Sequence, residues 1–452
     1  MTSMTGQILF DSIREDFVPK DGFISPEFAK LEKRRLWPKV WQIVCREEEI
    51  PDAGDYVTYD IADESIIVVR AAPGVIKSFY NVCQHRGRTL RDDACGKAKF
   101  LYCRYHGWRW TLDGKLHKIT DEQDWGNCPN FNRDDLRLKE TLVESWGGWV
   151  FINMDLQAEP LAKFLDPVPA FLDCFEFGKW RRHWHRQTIL PCNWKTALEG
   201  FNEAYHVAAT HPQILDDGGD DITIARVYGR HGMYAYPLNR RPAGAPSSKT
   251  GRPVPNDLRP GLARFFGDMD RTLNAMFTPR AVAAAKQLLQ AVPADAPAER
   301  LFGELQRLHR EAAEAEGAGW PEMTLAQQID AGTNWHIFPN HVFLPLIDGS
   351  IAYRARPYGD DPDKCIFDIW SLARYAPGQE PEVKTEFYPD WSVDTEKNFG
   401  LVLSQDFQNF GRVQKGMHSR GFAGARTNPV QEAEIPNMHR ALYTYLLGPD
   451  GD

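Results

Sequence analysis

Eight cysteines in 452 residues are too few and too scattered for a disulfide framework. They suit a reducing compartment, and a cytoplasmic protein is expected. No uninterrupted apolar run approaches the roughly 20 residues that span a bilayer. The opening stretch MTSMTGQILFDSIREDF has neither a basic leader nor an apolar core, so no secretory signal is predicted. Basic residues are in deficit, with 53 Lys and Arg against 62 Asp and Glu for a net charge of −9. That balance weighs against a nucleic-acid binder working through a broad basic face. No repeat or low-complexity segment stands out. What the chain has in quantity is core material: 42% hydrophobic residues, with 14 Trp and 25 Phe, enough for a large core and an apolar pocket. The length predicts two to four domains.

An opening segment carries one amphipathic run, Pro26 to Leu36. From about Val40 to Asp155 short alternating runs such as YVTYDI, SIIVVRAA and GGWVFINM lie between Gly, Asp and Pro breaks, predicting a compact all-β domain of roughly 110 residues. Asp113-Gly114 is a hairpin-turn signal inside it. After Pro160 the pattern is mixed. Asn193 is a plausible N-cap for a helix over WKTALEGFNEAYHVAA, and residues 216–320 contain two helical runs, AVAAAKQLLQAV and AERLFGELQRLHREAAEA. Strands return in NWHIFPNHVFLPLI, SIAYRARPY and KCIFDIWSLARY, followed by a helical stretch from about Thr395 and a last helix, EIPNMHRALYTYLL. The expected organisation is a β domain (40–156) inserted near the start of a larger α+β domain (1–39 and 157–452).

The most informative motif is Cys83-Gln84-His85, a 17-residue spacer, and Cys103-Arg104-Tyr105-His106. Two thiolates and two imidazoles in paired short motifs indicate a transition-metal site. A structural zinc ion would use all four tetrahedrally, although the spacing is unusual for zinc. A Rieske [2Fe–2S] centre would take one Cys and one His from each loop, the Cys pair on one iron and the His pair on the other. Gly87 and Gly107 follow the histidines where a tight loop must bring backbone N–H groups near the sulfurs. The signature NVCQHRG…YCRYHGW resembles the Rieske oxygenase family, and the roughly 300 residues that follow imply a second site fed by the cluster.

That second site is expected to be a 2-His-1-carboxylate iron centre with open positions for dioxygen. Glu203-Ala204-Tyr205-His206 and His211-Pro212 resemble the family's E-x-x-H-x-x-x-x-H segment. Because a spacing of five is off one helical face, His211 is expected where the helix loosens or ends before Pro212. The resemblance implies that Glu203 bridges His206 to the cluster ligand His106 of a neighbouring subunit rather than ligating the iron. Two departures stand out: Glu203 replaces the commoner Asp, and Gly200 replaces the usual Asn after Glu199. Around LVLSQDFQNFGRVQKG the chain resembles the family's acid-then-VQ-x-G segment, and Asp406, its only acid, is the expected third ligand.

Cys95 reads as a free thiol, and Cys45, Cys128, Cys174, Cys192 and Cys365 as buried hydrophobes. His183 and His185 are expected on one side of a strand, and His336 and His341 on a strand pair that resembles a pocket wall. Between Cys83 and Lys118 nine Lys/Arg face three acids, a patch suited to an acidic electron-transfer partner, with Lys97 and Lys99 the docking candidates. The 216–320 insertion is expected to form a lid over the substrate channel.

The resemblance as a whole implies an all-β Rieske domain within a helix-grip (START/Bet v1-like) α+β catalytic domain. It further implies the large subunit of a non-heme iron oxygenase, using O2 and NADH-derived electrons from a reductase or ferredoxin on a hydrophobic or aromatic substrate. A homotrimer is implied, with or without a small β subunit. cis-Dihydroxylation is the first expectation; monohydroxylation or dealkylation is the alternative, and an electron-transfer protein without oxygenase activity is the reading from another class. Neither a nucleic acid nor a membrane is an expected partner.

Overall fold

A computed structural model describes residues 10–447; the parts of the expected domain ranges at 1–9 and 448–452 lie outside them. The chain divides into two compact units, Lys30–Phe164 and, around it, the residues up to Ala29 together with those from Leu165 onward.

The Lys30–Phe164 unit is built from short antiparallel strands. β1 (Gln42–Arg46), β2 (Asp55–Ile61), β3 (Glu64–Ala72) and β4 (Val75–Tyr80) are followed by β5 (Cys95–Lys97), β6 (Leu101–Tyr102), β7 (Arg109–Trp110) and β8 (Leu116–Lys118), and then by β9 (Leu142–Trp146) and β10 (Trp149–Asn153). They form sheets in the orders β4-β3-β2-β5, β9-β10-β1 and β6-β7-β8. The Asp113-Gly114 turn joins β7 to β8 as expected, with Gly114 at φ +79°. Only glycine fits there, because an added Cβ would lie 2.4 Å from the ring of Phe79. Ile67, Val69, Phe79, Leu101, Trp108 and Trp110 form a buried core that includes Cys83 and Cys103, so the paired motif grows directly out of packed structure.

The second unit centres on an eight-stranded sheet. Its strands are β11 (Trp180–Leu190), β12 (Ile224–Tyr228), β13 (His231–Ala235), β14 (Asn334–Ile337), β15 (His341–Pro345), β16 (Gly349–Tyr358), β17 (Asp361–Arg374) and β18 (Thr385–Tyr388). They run in the order β12-β13-β14-β15-β16-β17-β11-β18. Every pairing is antiparallel except β11 with β18. Its helices include α1 (Trp194–Glu199), α2 (Val207–Thr210), α3 (Arg259–Leu273), α4 (Pro279–Ala291), α5 (Ala298–Ala315), α6 (Thr395–Met417) and α7 (Glu434–Leu446). The mixed α/β architecture with an antiparallel sheet is the one expected. Among the described residues no helix is long and apolar enough to cross a membrane.

Several local expectations need correction. The helix behind Asn193 is not continuous. Asn193 caps it by accepting from Lys195 N–H at 3.1 Å, but it stops at Glu199 and resumes only at Val207. His183 and His185 do not share an environment, because a register shift between Arg182 and Trp184 breaks the two-residue period. His183 is exposed and bonds Tyr375 Oη at 2.6 Å, whereas His185 is buried against Asp368. Cys128 is exposed and Cys174 half-buried, not core. The insertion holds a third helix, α3, hidden in sequence by its Gly, Pro and charge content. It packs with α4 and α5 around Leu262, Ala285, Leu288, Leu301 and Leu305.

Candidate metal centres

The loops after β4 and β6 are built alike. Cys83 N–H donates to Arg88 O and Gly87 N–H to Cys83 O, at 2.8 and 3.0 Å; Cys103 N–H donates to Trp108 O and Gly107 N–H to Cys103 O, at 2.9 and 3.1 Å. Both glycines have positive φ, +75° and +78°, the conformation each turn needs to double back. The cysteines are buried. Burial, and then the Cys103 sulfur beside it, pushes the Cys83 thiol up. The rings of His85 and His106 meet at 4.6 Å edge to face, and His85 stacks on Trp108 at 4.7 Å.

Two observations test whether these residues suit an iron–sulfur cluster. His85 Nδ1 is buried without a hydrogen-bond partner, a costly state unless something else occupies its lone pair. His106 turns Nε2 toward the Arg86 guanidinium at 3.2 Å, which leaves its Nδ1 as the remaining donor atom. Secondly, among the described residues no three of these four side chains bring their donor atoms within 4.8 Å of one another. A tetrahedral zinc site needs donor separations of about 3.3–3.8 Å, whereas a two-iron cluster keeps its thiol pair and its imidazole pair apart. The donor set fits the cluster.

His206, His211 and Asp406 are the one trio of possible metal ligands among the described residues whose donor atoms all lie within 4.8 Å. Asp406 Oδ1 lies 2.9 Å from His211 Nε2 and 3.5 Å from His206 Nε2. The first spacing is close to the roughly 3.0 Å between neighbouring corners of an octahedron with bonds of about 2.1 Å, and the second is about half an ångström longer. His211 sits where α2 ends, immediately before Pro212, as its spacing predicted. Asp406 comes from α6, which bends at Gly400 (φ +81°). An added Cβ there would meet Thr272 O at 2.3 Å, so the bend brings α6 against α3.

The other ring nitrogens are also committed. His206 Nδ1 donates to Glu203 Oε1 at 2.5 Å, and Glu203 Oε2 accepts the His206 backbone N–H at 3.0 Å. His211 Nδ1 donates to Gln405 Oε1 at 2.8 Å. Gln213 Nε2 donates to the same oxygen at 2.8 Å, which fixes the amide orientation. Each imidazole therefore turns Nε2, the nitrogen left to bind a metal, toward Asp406. Burial opposes charge on His206, but Glu203 and then Asp406 outweigh it and push its pKa up to about 9: the site attracts a cation. A cavity of about 270 Å³ opens onto His206, lined by Glu199, Glu203, Asp406 and Glu432. Burial, and then Glu203 and Glu199, pushes Glu432 up to about 7.

Gln405 and Gln213 escaped the sequence reading. Their positions, one residue before Asp406 and two after His211, are the only signal that could have found them. The Gly200 departure has a steric cause: an added Cβ would lie 2.6 Å from the ring of Phe410 on α6. In the basic patch, Lys97 is paired with Asp52 and Asp55 at 3.1 and 3.4 Å and Arg88 with Asp92 at 2.7 Å, so part of that charge is neutralised locally. His336 and His341 are both buried in the sheet.

Paired Cys/His loops in a β-rich unit, with a two-histidine, one-carboxylate trio in a second unit, define a Rieske-type non-heme iron protein. The chain belongs to the ring-hydroxylating α subunits: it matches the family model described as Ring hydroxylating alpha subunit (catalytic domain) over residues 176–448 and the Rieske [2Fe-2S] domain over 40–132. A Rieske cluster and a non-heme iron are accordingly its cofactors. It is 34% identical over 216 residues to the glycine betaine monooxygenase oxygenase subunit of Chromohalobacter salexigens, covering 47% of this chain and 48% of that one. It is 36% identical over 208 residues to the carnitine monooxygenase oxygenase subunit of Escherichia coli K12, covering 44% and 53%. These matches span about half the length of each relative. The fold is similar to that of naphthalene 1,2-dioxygenase with indole bound in the active site, at a TM-score of 0.65 and 18% identity over 96% of this chain and 92% of that one.

Proposed function

We infer that this chain is the terminal oxygenase component of a multicomponent Rieske oxygenase. It would hydroxylate a small apolar or aromatic molecule with O2, drawing NADH-derived electrons from a separate reductase, directly or through a ferredoxin. In this reading Cys83 and Cys103 hold one iron of the cluster, His85 and His106 hold the other through Nδ1, and His206, His211 and Asp406 hold the mononuclear Fe(II). The bound metals supply electron storage and dioxygen activation.

The chain's own residues set the conditions for that chemistry. Glu203 and Gln405 keep the Nδ1 protons of His206 and His211, so that both rings offer Nε2 as neutral ligands. Trp108 covers one face of His85. Glu203 is also the residue through which an electron from a neighbouring subunit's His106 would reach His206 in a trimer, with or without a small β subunit. The observation that carries the reading is the convergence of His206, His211 and Asp406 with both Nδ1 atoms already engaged. Its test is product formation by iron-loaded protein with a surrogate reductase: His206→Ala and Asp406→Ala should abolish it and leave the cluster's visible absorption intact. Equal product from both variants would dismiss this iron site, and no product from any form of the protein would favour a plain electron carrier.

Dihydroxylation of an aromatic ring is the first expectation. A monooxygenase reading is favoured by the identity with the betaine and carnitine monooxygenase subunits. Labelled dioxygen separates the two, since dihydroxylation carries both labelled atoms into the product and monooxygenation one.

A further inference from the structure

One face of the eight-stranded sheet carries a group of buried polar side chains that the candidate iron trio does not use. Gly232 pairs with His336 and Tyr234 with Asn334 across β13 and β14, and such cross-strand partners share a face. Gly232 leaves room on that face for Glu434, the first residue of α7. An added Cβ would meet Glu434 Cγ at 2.7 Å and Oε2 at 2.9 Å. The Glu434 carboxyl, the His336 ring and the Asn334 amide are therefore neighbours. All three are fully buried, as is Asn202.

Their hydrogen-bonding capacity is unused. Both Glu434 oxygens, His336 Nδ1, Asn334 Oδ1 and both amide atoms of Asn202 have no partner, which costs free energy at each atom. The bonds that do form fix the character of the free atoms. Asn334 Nδ2 donates to Phe201 O at 2.9 Å, so its Oδ1 is an acceptor. His336 Nε2 faces Pro339 O at 3.2 Å and so carries the proton, which leaves a lone pair on Nδ1. With the two Glu434 oxygens, four acceptor atoms are gathered and no donor is bonded to any of them. Burial alone acts on Glu434 and pushes it well above the usual carboxylate range. Among the described residues no Lys, Arg or His opposes that.

The group borders the segment that leads into the iron trio. Asn334 holds Phe201 O, Asn202 follows, and Glu203 comes next in the chain. Burial, and then Tyr236, Glu434 and Glu203, push the Tyr234 hydroxyl well above its ordinary range, so Tyr234 feels both carboxylates. The β14–β15 register puts Leu344 opposite Asn334. Leu344 is only half-buried although its strand is central in the sheet, so accessible space meets this face beside Asn334. Tyr353, which pairs with Val342 on the same face, stacks on Phe201 at 4.1 Å and adds an apolar wall.

Four acceptors, one of them an acid, select among ligand chemistries. A carboxylate meets only lone pairs. A metal ion finds two strong ligands, His336 and Glu434, and the iron trio is the one group of three among the described residues. A quaternary ammonium brings charge but no N–H. A protonated primary or secondary amine brings both: its N–H groups satisfy the acceptors, and its charge lets Glu434 ionise, releasing a proton to solvent. Its apolar remainder has Leu344, Phe201 and Tyr353 to lie against.

We propose that Glu434, Asn334 and His336 form a recognition site for the protonated amino group of a primary or secondary organic amine. Calling that amine a substrate rests on the oxygenase reading, but binding at the site can be tested without turnover.

The test is calorimetric titration of the full, oxidised, iron-loaded protein at neutral pH, without reductant. Benzylamine, benzyltrimethylammonium and benzyl alcohol serve as probes, sharing one ring and differing in charge and N–H groups. Benzylamine should bind tightest. Benzyltrimethylammonium, which keeps the charge and loses every N–H, and benzyl alcohol, which loses the charge, should each be weaker by about tenfold or more. Glu434→Gln keeps the size of the side chain and should weaken benzylamine by about tenfold or more, leaving benzyl alcohol unchanged. Asn334→Leu should weaken benzylamine in the same direction by about threefold or more. Cluster absorption and Tm show that each variant is folded. The two stand in for one another if either is not, and the ranking of probes on the unsubstituted protein needs neither. Benzyltrimethylammonium binding as tightly as benzylamine overturns the proposal. So does benzylamine binding that is unchanged in folded Glu434→Gln, the result expected if the amine ligates the iron or if ordered water alone fills the site. Turnover separates the proposal from the oxygenase reading. Hydroxylation of an apolar molecule by a protein that shows no preference for benzylamine sinks the amine site and keeps the oxygenase. Benzylamine binding that depends on Glu434, in a protein that oxygenates nothing, keeps the site and sinks the oxygenase.

Discussion

Gln405 and Asp406, adjacent on α6, address opposite nitrogens of one imidazole: Gln405 Oε1 accepts from His211 Nδ1 at 2.8 Å, and Asp406 Oδ1 lies 2.9 Å from His211 Nε2. One turn of helix thus supplies both a candidate ligand and the group that orients a second one, which makes Gln405 the most informative residue to remove.

Gln405→Ala is expected to lower affinity for Fe(II) by about 10- to 100-fold, the usual cost of losing an orienting partner behind a metal-bound histidine. Gln405→Glu, which keeps an acceptor at the same place, should retain most of it. Iron titration monitored by metal analysis reads the effect, and the cluster's visible absorption should be unchanged in both.

Glu203 is predicted to matter for electron delivery. With the iron site saturated, Glu203→Ala should leave cluster reduction unaffected and slow cluster reoxidation by O2 and substrate by roughly tenfold or more; Glu203→Asp should slow it less. Stopped-flow absorption measures both, and equal rates in all three proteins would mean that electrons take another route.

Gly200 has ordinary helical dihedrals, φ −62° and ψ −12°, so any cost of Gly200→Ala comes from the Phe410 ring 2.6 Å from the new Cβ. Phe410 is packed against Phe201 and Phe407 and has little room to retreat. A loss of about 1–3 kcal/mol is expected, visible as a lowered Tm, and Gly200→Ala with Phe410→Leu should recover part of it.

His336 is buried, its Nε2 faces Pro339 O at 3.2 Å, and burial pulls its pKa down to about 4. Between pH 6.5 and 4 the unfolded chain therefore takes up a proton that the native state refuses. The native state is favoured above about pH 6.5, and about 3 kcal/mol is lost as the pH falls toward 4. Denaturant unfolding across that range should show a shallower pH dependence for His336→Gln than for the unsubstituted protein.

The candidate ligands were legible because their chemistry is local or nearly so. Cys83, His85, Cys103 and His106 lie in two short loops whose glycines announce the turns, and the His206–His211 spacing with Pro212 already places a helix end. The 298–315 helix was read to the residue because its apolar period is strong, whereas α3 was missed because Pro260, Gly261 and Gly267 obscure the same period. The same side for His183 and His185 failed for a different reason. A bulge depends on the partner strand β17 and leaves no mark in β11 alone.

Sequence by itself determined the donor types, their short-range spacing and the family, because thiolate, imidazole and turn glycine are identities that folding does not alter. Only the tertiary structure decided which nitrogen of each candidate ring is left to bind a metal, which amide holds His211, why residue 200 has no side chain, and that a cavity opens between the insertion and the β15–β16 turn. Those facts join residues as far apart as Gly200 and Phe410 or His309 and Asp348, and such pairs meet through packing and register, which no local pattern in the chain encodes.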